Sequence, residues 1–343
     1  METVIITGSC GLIGSQSVFF FHDLGFNIIG IDDDSRGKFF GSDASTSKVK
    51  DELSKLKNYT HYSISICEFE ILKKNLSHLK NVDLIIHTAA QPSHDWAASN
   101  PFLDFNTNAL GTLNMLEITR QLFPESVFIF TSTNKVYGDT PNKLEYKEIE
   151  TRYEPVNLEI KNNGIDETMS IDNSKHSLFG VSKVYGDLIV QEYGKYFNIK
   201  TGIFRGGCLT GSKHCGVEAH GFLSYLIKCA LTNKKYTIYG YKGKQVRDNI
   251  HSYDVVSAFY EFYKNPKMGE VYNIGGSLKS NCSVLEAINL IQEYTKIKIN
   301  YEIVEKNREG DHIWYISDMR KFKKDYPSWN QKYELADIIK DMI

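Results

Sequence analysis

Near the start of the chain, a short apolar run, Val4-Ile5-Ile6-Thr7, leads directly into Gly8-Ser9-Cys10-Gly11-Leu12-Ile13-Gly14. Glycines at this spacing after a strand and before a helix let the backbone turn tightly and approach a pyrophosphate. The helix N-terminus then offers free N–H groups and the positive end of its dipole to the same anion. Three glycines alone could mark an ordinary turn. Context strengthens the reading, because an acid stands at the end of the next apolar run, Ile28–Ile31. That acid is Asp32, placed to accept hydrogen bonds from the hydroxyls of an adenine ribose.

Asp33 and Asp34 follow Asp32 and read as a solvated loop. A ribose 2′-phosphate would meet three carboxylates there, so NAD is expected rather than NADP. Arg36 is the one dissenting residue, since arginine can pair with a phosphate. Leu12 and Ile13 within the glycine motif, Ala89 and Asn108 complete the expected cofactor contacts.

The rest of the chain fits the same architecture. Apolar runs at Leu84–His87, Val127–Thr131, Lys200–Phe204 and Val271–Ile274 read as further strands. Helices are predicted over Leu103–Leu122 and Phe179–Phe197, and Gly25 stands where the first helix should stop. The fold class is α/β: a Rossmann-type doubly wound parallel sheet with a smaller C-terminal α/β unit for substrate. From about Arg205 the pattern is more broken. The expected division is residues 1–204 plus roughly 247–276 for the dinucleotide, and roughly 205–246 with 277–343 for substrate. Tyr146–Asn173 is polar and irregular and reads as a long loop beside the site.

A chain of 343 residues buries enough apolar surface to fold without cross-links. Its six cysteines include no C-x-x-C pair, which fits reduced thiols in a cytoplasmic enzyme. A net charge of -2 gives no reason to invoke nucleic acid or an anionic membrane. The N-terminus opens into a strand rather than a basic segment and an apolar stretch, so no signal peptide is expected. No metal is expected either: His214, Cys215 and His220 could suggest one, but three such residues on one irregular segment are more often incidental.

Two later segments carry chemistry. The first is Ser132-Thr133-Asn134-Lys135-Val136-Tyr137-Gly138-Asp139; the second is His176-Ser177-Leu178-Phe179-Gly180-Val181-Ser182-Lys183. Together they resemble the extended short-chain dehydrogenases/reductases. In that family a Ser or Thr, a Tyr and a Lys form the reactive set, the last two spaced Y-x-x-x-K. Thr133 matches the first position and Lys183 the last. Phe179 stands where the resemblance calls for Tyr, the general base, and a phenyl ring has no proton to exchange. Three readings are open: another group serves as base, the protein is inactive, or Phe179 is an engineered change. Tyr137, His176 and Lys183 acting through water are the candidate substitutes.

The closer resemblance is to the CDP-paratose/CDP-tyvelose 2-epimerases. It rests on the S-T-N-K-V-Y-G-D run, Glu150-Thr151-Arg152-Tyr153, Gly164-Ile165-Asp166-Glu167, Gly243-Lys244-Gln245-Val246-Arg247-Asp248 and Tyr272-Asn273-Ile274-Gly275-Gly276. Sugar-nucleotide 4,6-dehydratases carry an Asp-Glu pair where this chain has Asn134-Lys135, so elimination is not expected. The resemblance implies inversion at C2 of a CDP-linked sugar through a transient 2-keto sugar, with NAD retained. It implies that Thr133 holds the reacting oxygen and Lys183 the nicotinamide ribose. Gln91, His94, Asn134, Lys135, Arg247 and Arg308 are the remaining substrate candidates; His94 could equally cap a helix, and Arg308 could be a solvated loop residue. A homodimer is implied through Leu103–Leu122 and Phe179–Phe197, where Leu110, Leu113, Met115, Leu116 and Ile118 are apolar beyond what one helix face needs. The rival readings are a redox-inactive binder of NAD or nucleotide sugar, and a reductase or dehydrogenase with net cofactor turnover.

Overall fold

The computed structural model describes residues 1–213 and 221–343. Seven strands form one parallel sheet: β1 Thr3–Thr7, β2 Asn27–Ile31, β3 Tyr59–Tyr62, β4 Leu84–His87, β5 Val127–Thr133, β6 Thr201–Gly206 and β7 Glu270–Ile274. Their order is β7-β6-β5-β4-β1-β2-β3. The chain winds outward from β1 on both sides, so the crevice between β1 and β4 is the topological switch point where ligands bind in such sheets.

The central strands are continuous apolar runs because both faces are covered. Alternate residues go to opposite sides: Val4 and Ile6 pack with Val18, Phe21, Phe204 and Phe259, while Ile5 packs with Ile85, Met115, Phe128 and Val190. Helix α1, Leu12–Asp23, lies on the first side. Its end is marked by Gly25, whose φ of 85° lies in the left-handed region. Strand β3 was not expected from the sequence. It is an edge strand of sequence Tyr-Thr-His-Tyr with no fully buried residue, so no apolar run announces it.

The predicted Leu103–Leu122 helix is a longer helical run that changes pitch. It comprises Pro101–Phe105, a wide π turn at Asn106–Leu110, and α2, Gly111–Leu122. The other long helix is α3, Ser177–Phe197. Tyr146–Asn173 departs from the loop reading. Tyr146–Glu148 pairs antiparallel with Tyr153–Pro155, and Leu158–Asn163 is a short helix. None of its residues lines the cleft described below.

The smaller unit is also α/β. Strand Val246–His251 pairs with Asn281–Ser283, Trp314–Tyr315 and Cys208–Thr210. Tyr236–Tyr239 pairs with Tyr301–Val304. Helices Phe222–Leu231, Val284–Thr295 and Leu335–Met342 share one hydrophobic cluster with Ile238 and Cys282. The expected boundary near residue 247 therefore falls differently: Val246–His251 pairs with strands of the smaller unit. The helix that follows it, Ser252–Lys264, turns back onto α1, with Tyr253 and Tyr260 edge-on to Phe20, and β7 then joins the large sheet.

The five described cysteines are free thiols. No described helix is long and apolar enough to cross a membrane. Among the described residues no cluster of metal-ligating side chains occurs, and His214, Cys215 and His220 lie outside them.

Candidate active site

A cavity of about 470 Å³ opens at the carboxyl ends of the central strands. Its first half is built by the glycine motif. Gly8 has φ 65° and a Cβ there would fall 2.8 Å from the Ala89 nitrogen, so only glycine fits. A Cβ on Gly14 would fall 1.9 Å from the Gly8 carbonyl oxygen. Gly14 does not line the cavity; it lets α1 pack onto the turn. Gly8, Gly11, Leu12, Ile13, Asp32, Arg36 and Ala89 do line it. No side chain caps the first turn of α1, leaving its N–H groups to an anion. The cradle fits a dinucleotide.

Asp32 accepts the Cys10 N–H at 3.0 Å and the Asp34 N–H at 2.9 Å, so the carboxylate is held at the lip of the glycine turn. Burial pushes its carboxyl up from the usual range. Asp34 is not a solvated loop residue. It sits at φ 54° and its carboxylate accepts from Ser45 Oγ, the Thr46 N–H and Thr46 Oγ1, tying down the next turn. Asn108 and Gln91 also depart from expectation. Neither lines the cavity. The Gln91 N–H donates to Asn108 Oδ1 at 2.8 Å, and Asn108 Nδ2 donates to the Gln91 carbonyl at 3.0 Å. Both side chains also bond Asp104, so the pair is a buried clamp that holds the segment after β4.

The candidate reactive set gathers at the carboxyl end of β5 and the first turns of α3. Thr133 Oγ1 accepts the Lys135 N–H at 3.2 Å and starts a short 3-10 turn, Asn134–Tyr137. Lys183 Nζ donates to the Thr131 carbonyl at 2.9 Å and lies 4.1 Å above the Phe130 ring. Burial pushes its amine down to about 7. Phe179, one helical turn before Lys183, lines the cavity with it.

Tyr137 and His176 are displaced from their expected roles. Tyr137 is fully buried behind the cavity, donates to Asn273 Oδ1 at 2.8 Å and stacks on Tyr315. Burial pushes its phenol up to about 12. His176 Nδ1 and Nε2 each lie 2.9 Å from a main-chain carbonyl, of Ser174 and Val136. Neither side chain lines the cavity.

The second half of the cavity is cationic. Lys135 Nζ donates to the Gly310 carbonyl at 2.9 Å, and burial pushes its amine down to about 8. Arg247 donates to the Val246 carbonyl at 2.7 Å and pairs with Asp311. Burial raises the Asp311 carboxyl, but Arg247 and Lys135 outweigh it and hold it below the usual range. Arg308 lies 4.3 Å from the Tyr239 ring centroid and lines the cavity, as do His94 and Asn134. Cys208, Phe222, Leu223, Gly310 and Asp311 line it too, and none was anticipated. Only Asp311 had a signal, its place three residues after Arg308.

Comparison with known proteins agrees with this geometry. The model of the NAD dependent epimerase/dehydratase family matches residues 4–275. The chain is 30% identical to a CDP-paratose 2-epimerase from Salmonella typhi over 355 residues, covering 99% of this chain and 97% of that one. It is 25% identical to a dTDP-glucose 4,6-dehydratase from Haemophilus influenzae, covering 98% and 90%. Among solved structures, a Thermus thermophilus UDP-glucose 4-epimerase in complex with NAD superposes with a TM-score of 0.79 at 20% identity, covering 99% of this chain and 97% of that one.

Proposed function

We propose that this chain, which belongs to the NAD dependent epimerase/dehydratase family, is a 2-epimerase of a CDP-linked deoxyhexose. NAD is its cofactor; when bound, it accepts a hydrogen with its electron pair from a sugar carbon and returns it. The observation that carries the reading is Asn134-Lys135 directly after Thr133. An elimination needs a carboxylic acid pair at that point, and here an amide and an ammonium line the cavity instead.

The chain's own residues divide the work. Thr133 hydrogen-bonds the reacting sugar oxygen, and Lys183 binds the nicotinamide ribose. Lys135, Arg247 and Arg308 face the substrate diphosphate, where charge-assisted hydrogen bonds hold the nucleotide while the sugar turns. Asp311 keeps Arg247 paired until the diphosphate arrives. The test is incubation with CDP-paratose, followed by NMR of the sugar. Appearance of the C2 epimer is expected. Release of a 4-keto-6-deoxy product, or stoichiometric consumption of added nicotinamide cofactor, would reject the reading.

A second reading, a redox-inactive binder, is favoured by Phe179 alone. It predicts bound CDP-sugar with no isomer formed in the same assay.

A homodimer and a cytoplasmic location belong to the same proposal. Met115, Leu116 and Ile118 are fully buried within the monomer and are not available to a partner. The exposed apolar residues are others: Phe102 at 86%, with Phe105 and Leu110 on one helical run, and Val181 at 54%, with Leu178 and Leu188 on α3. Phe105 and Tyr185 meet at 6.0 Å, so the two helices present one continuous apolar surface. A second copy would cover it isologously. The free thiols support a reducing compartment.

A further inference from the structure

Phe179 lacks the phenol that would accept the sugar proton, and Tyr137 and His176 lie outside the cavity. Lys183 is committed to the Thr131 carbonyl. One other proton-accepting side chain stands against Phe179: the His94 ring meets it edge-on, with 5.0 Å between centroids. His94 lines the cavity together with Thr133 and Lys183.

The imidazole is held on two sides. Its Nδ1 lies 2.7 Å from Ser177 Oγ. Ser177 is the first residue of α3 and has φ 63°, the left-handed region that a non-glycine residue enters only when its surroundings require it. The same Oγ accepts the Gly180 N–H at 3.3 Å, which fixes the hydroxyl in place. The Gly310 backbone also closes on the ring: a Cβ there would fall 2.7 Å from Cε1 and Nδ1. Nε2 has no hydrogen-bond partner among the described residues and is not among the sealed-off polar atoms, so it is open to the cavity.

We propose that His94 is the proton-accepting catalytic residue in place of the absent tyrosine, with Ser177 as its positioning residue. The proposal rests on the epimerase reading above. Ser177 Oγ accepts the Nδ1–H, which leaves the lone pair on Nε2 toward the sugar. The sugar O–H bond breaks and an N–H bond forms at Nε2. The electron pair left on oxygen becomes the second C–O bond as the carbon-bound hydrogen leaves with its own pair. The sugar is oxidised by two electrons and NAD is reduced by two. On the return, the proton passes from Nε2 back to oxygen while hydrogen and its pair re-enter at the opposite face of the carbonyl.

Burial, with Lys135 nearby, pushes the imidazole down to about 3, so the ring is neutral at working pH but a weak base in the empty cavity. A bound diphosphate offsets Lys135, the smaller of the two causes, and moves its basicity upward.

Two measurements test the proposal. NMR of the NAD-loaded chain with ring-¹⁵N histidine reads the tautomer without turnover. A proton on Nδ1 and a lone pair on Nε2 are expected; a protonated Nε2 would overturn the assignment. The second is reduction of bound nicotinamide by a panel of CDP-, UDP- and dTDP-hexoses. His94→Gln should slow it by roughly 100- to 10,000-fold with KM little changed, and adding Phe179→Tyr to that variant should restore about tenfold or more. Ser177→Ala, which leaves His94 in place, should slow reduction and shift the tautomer, and it stands in if His94→Gln fails to fold. Sugar oxidation without C2 inversion, lost in His94→Gln, keeps His94 and rejects the 2-epimerase reading. Inversion at C2 that survives His94→Gln rejects His94 and keeps that reading. No oxidation of any sugar by the native chain rejects both.

Discussion

Phe179 and His94 form an edge-to-face pair, 5.0 Å between ring centroids, in the wall of the cavity. Phe179 is almost fully buried against the cavity wall, and a tyrosine ring has the same shape. Phe179→Tyr should therefore unfold within about 1 kcal/mol of the native chain in urea. Its turnover on CDP-paratose, measured beside that of the native chain, separates two cases. Robust native turnover is expected; a rise from near zero on adding the hydroxyl would show that the native chain had lost its base.

Asp32 is the proposed determinant of cofactor choice. Its carboxylate anchors the glycine turn through the Cys10 N–H and faces the cavity. Titration of the apo-protein should show NAD bound far more tightly than NADP. Asp32→Ala should weaken NAD by roughly tenfold or more, the effect of losing a charged hydrogen-bond acceptor, and narrow the preference. Equal affinities in the native chain would remove Asp32 from this role.

Gly14 acts through packing. Because a Cβ there meets the Gly8 carbonyl oxygen at 1.9 Å and Ser9 Cα at 2.8 Å, Gly14→Ala must push α1 off the turn. A loss of about 1–3 kcal/mol in urea unfolding, with weaker NAD binding, is expected. A variant as stable as the native chain would mean the helix has room that the geometry does not show.

His87 makes stability pH-dependent. It is buried between Thr7 Oγ1 at 2.7 Å and Thr112 Oγ1 at 3.1 Å, and burial pushes its imidazole from 6.5 down to about 3. The unfolded chain takes up a proton below 6.5, whereas the folded chain resists until about 3. Stability is thus complete above the unfolded value and is lost as pH falls. By about pH 5 the loss from this residue alone is roughly 2 kcal/mol. His87→Gln should lose less stability than the native chain between neutral pH and about pH 5. Parallel losses would show that His87 titrates normally.

The exposed face of α3 and the Pro101–Leu122 run should carry assembly. Val181→Glu placed on it should convert a dimer to a monomer by light scattering at micromolar concentration, while NAD binding persists. A native chain that is already monomeric would count against the dimer.

The glycine turn, Asp32 and the apolar strands were legible in the residues alone, while Thr133 and Lys183 were marked by the family resemblance. The first three obey local rules. Only glycine tolerates the close approach at Gly8 and Gly14, and doubly covered strands must be continuously apolar. Strand β3 escaped because an edge strand needs no apolar run. What the tertiary structure alone decided is which polar groups share the cavity. It set Tyr137 behind the wall on Asn273, turned Gln91 and Asn108 into a clamp, and brought His94 to Ser177 across 83 residues of chain. Side-chain chemistry is written in the sequence, but whether a group meets substrate or its own core depends on long-range packing, and no local periodicity encodes that.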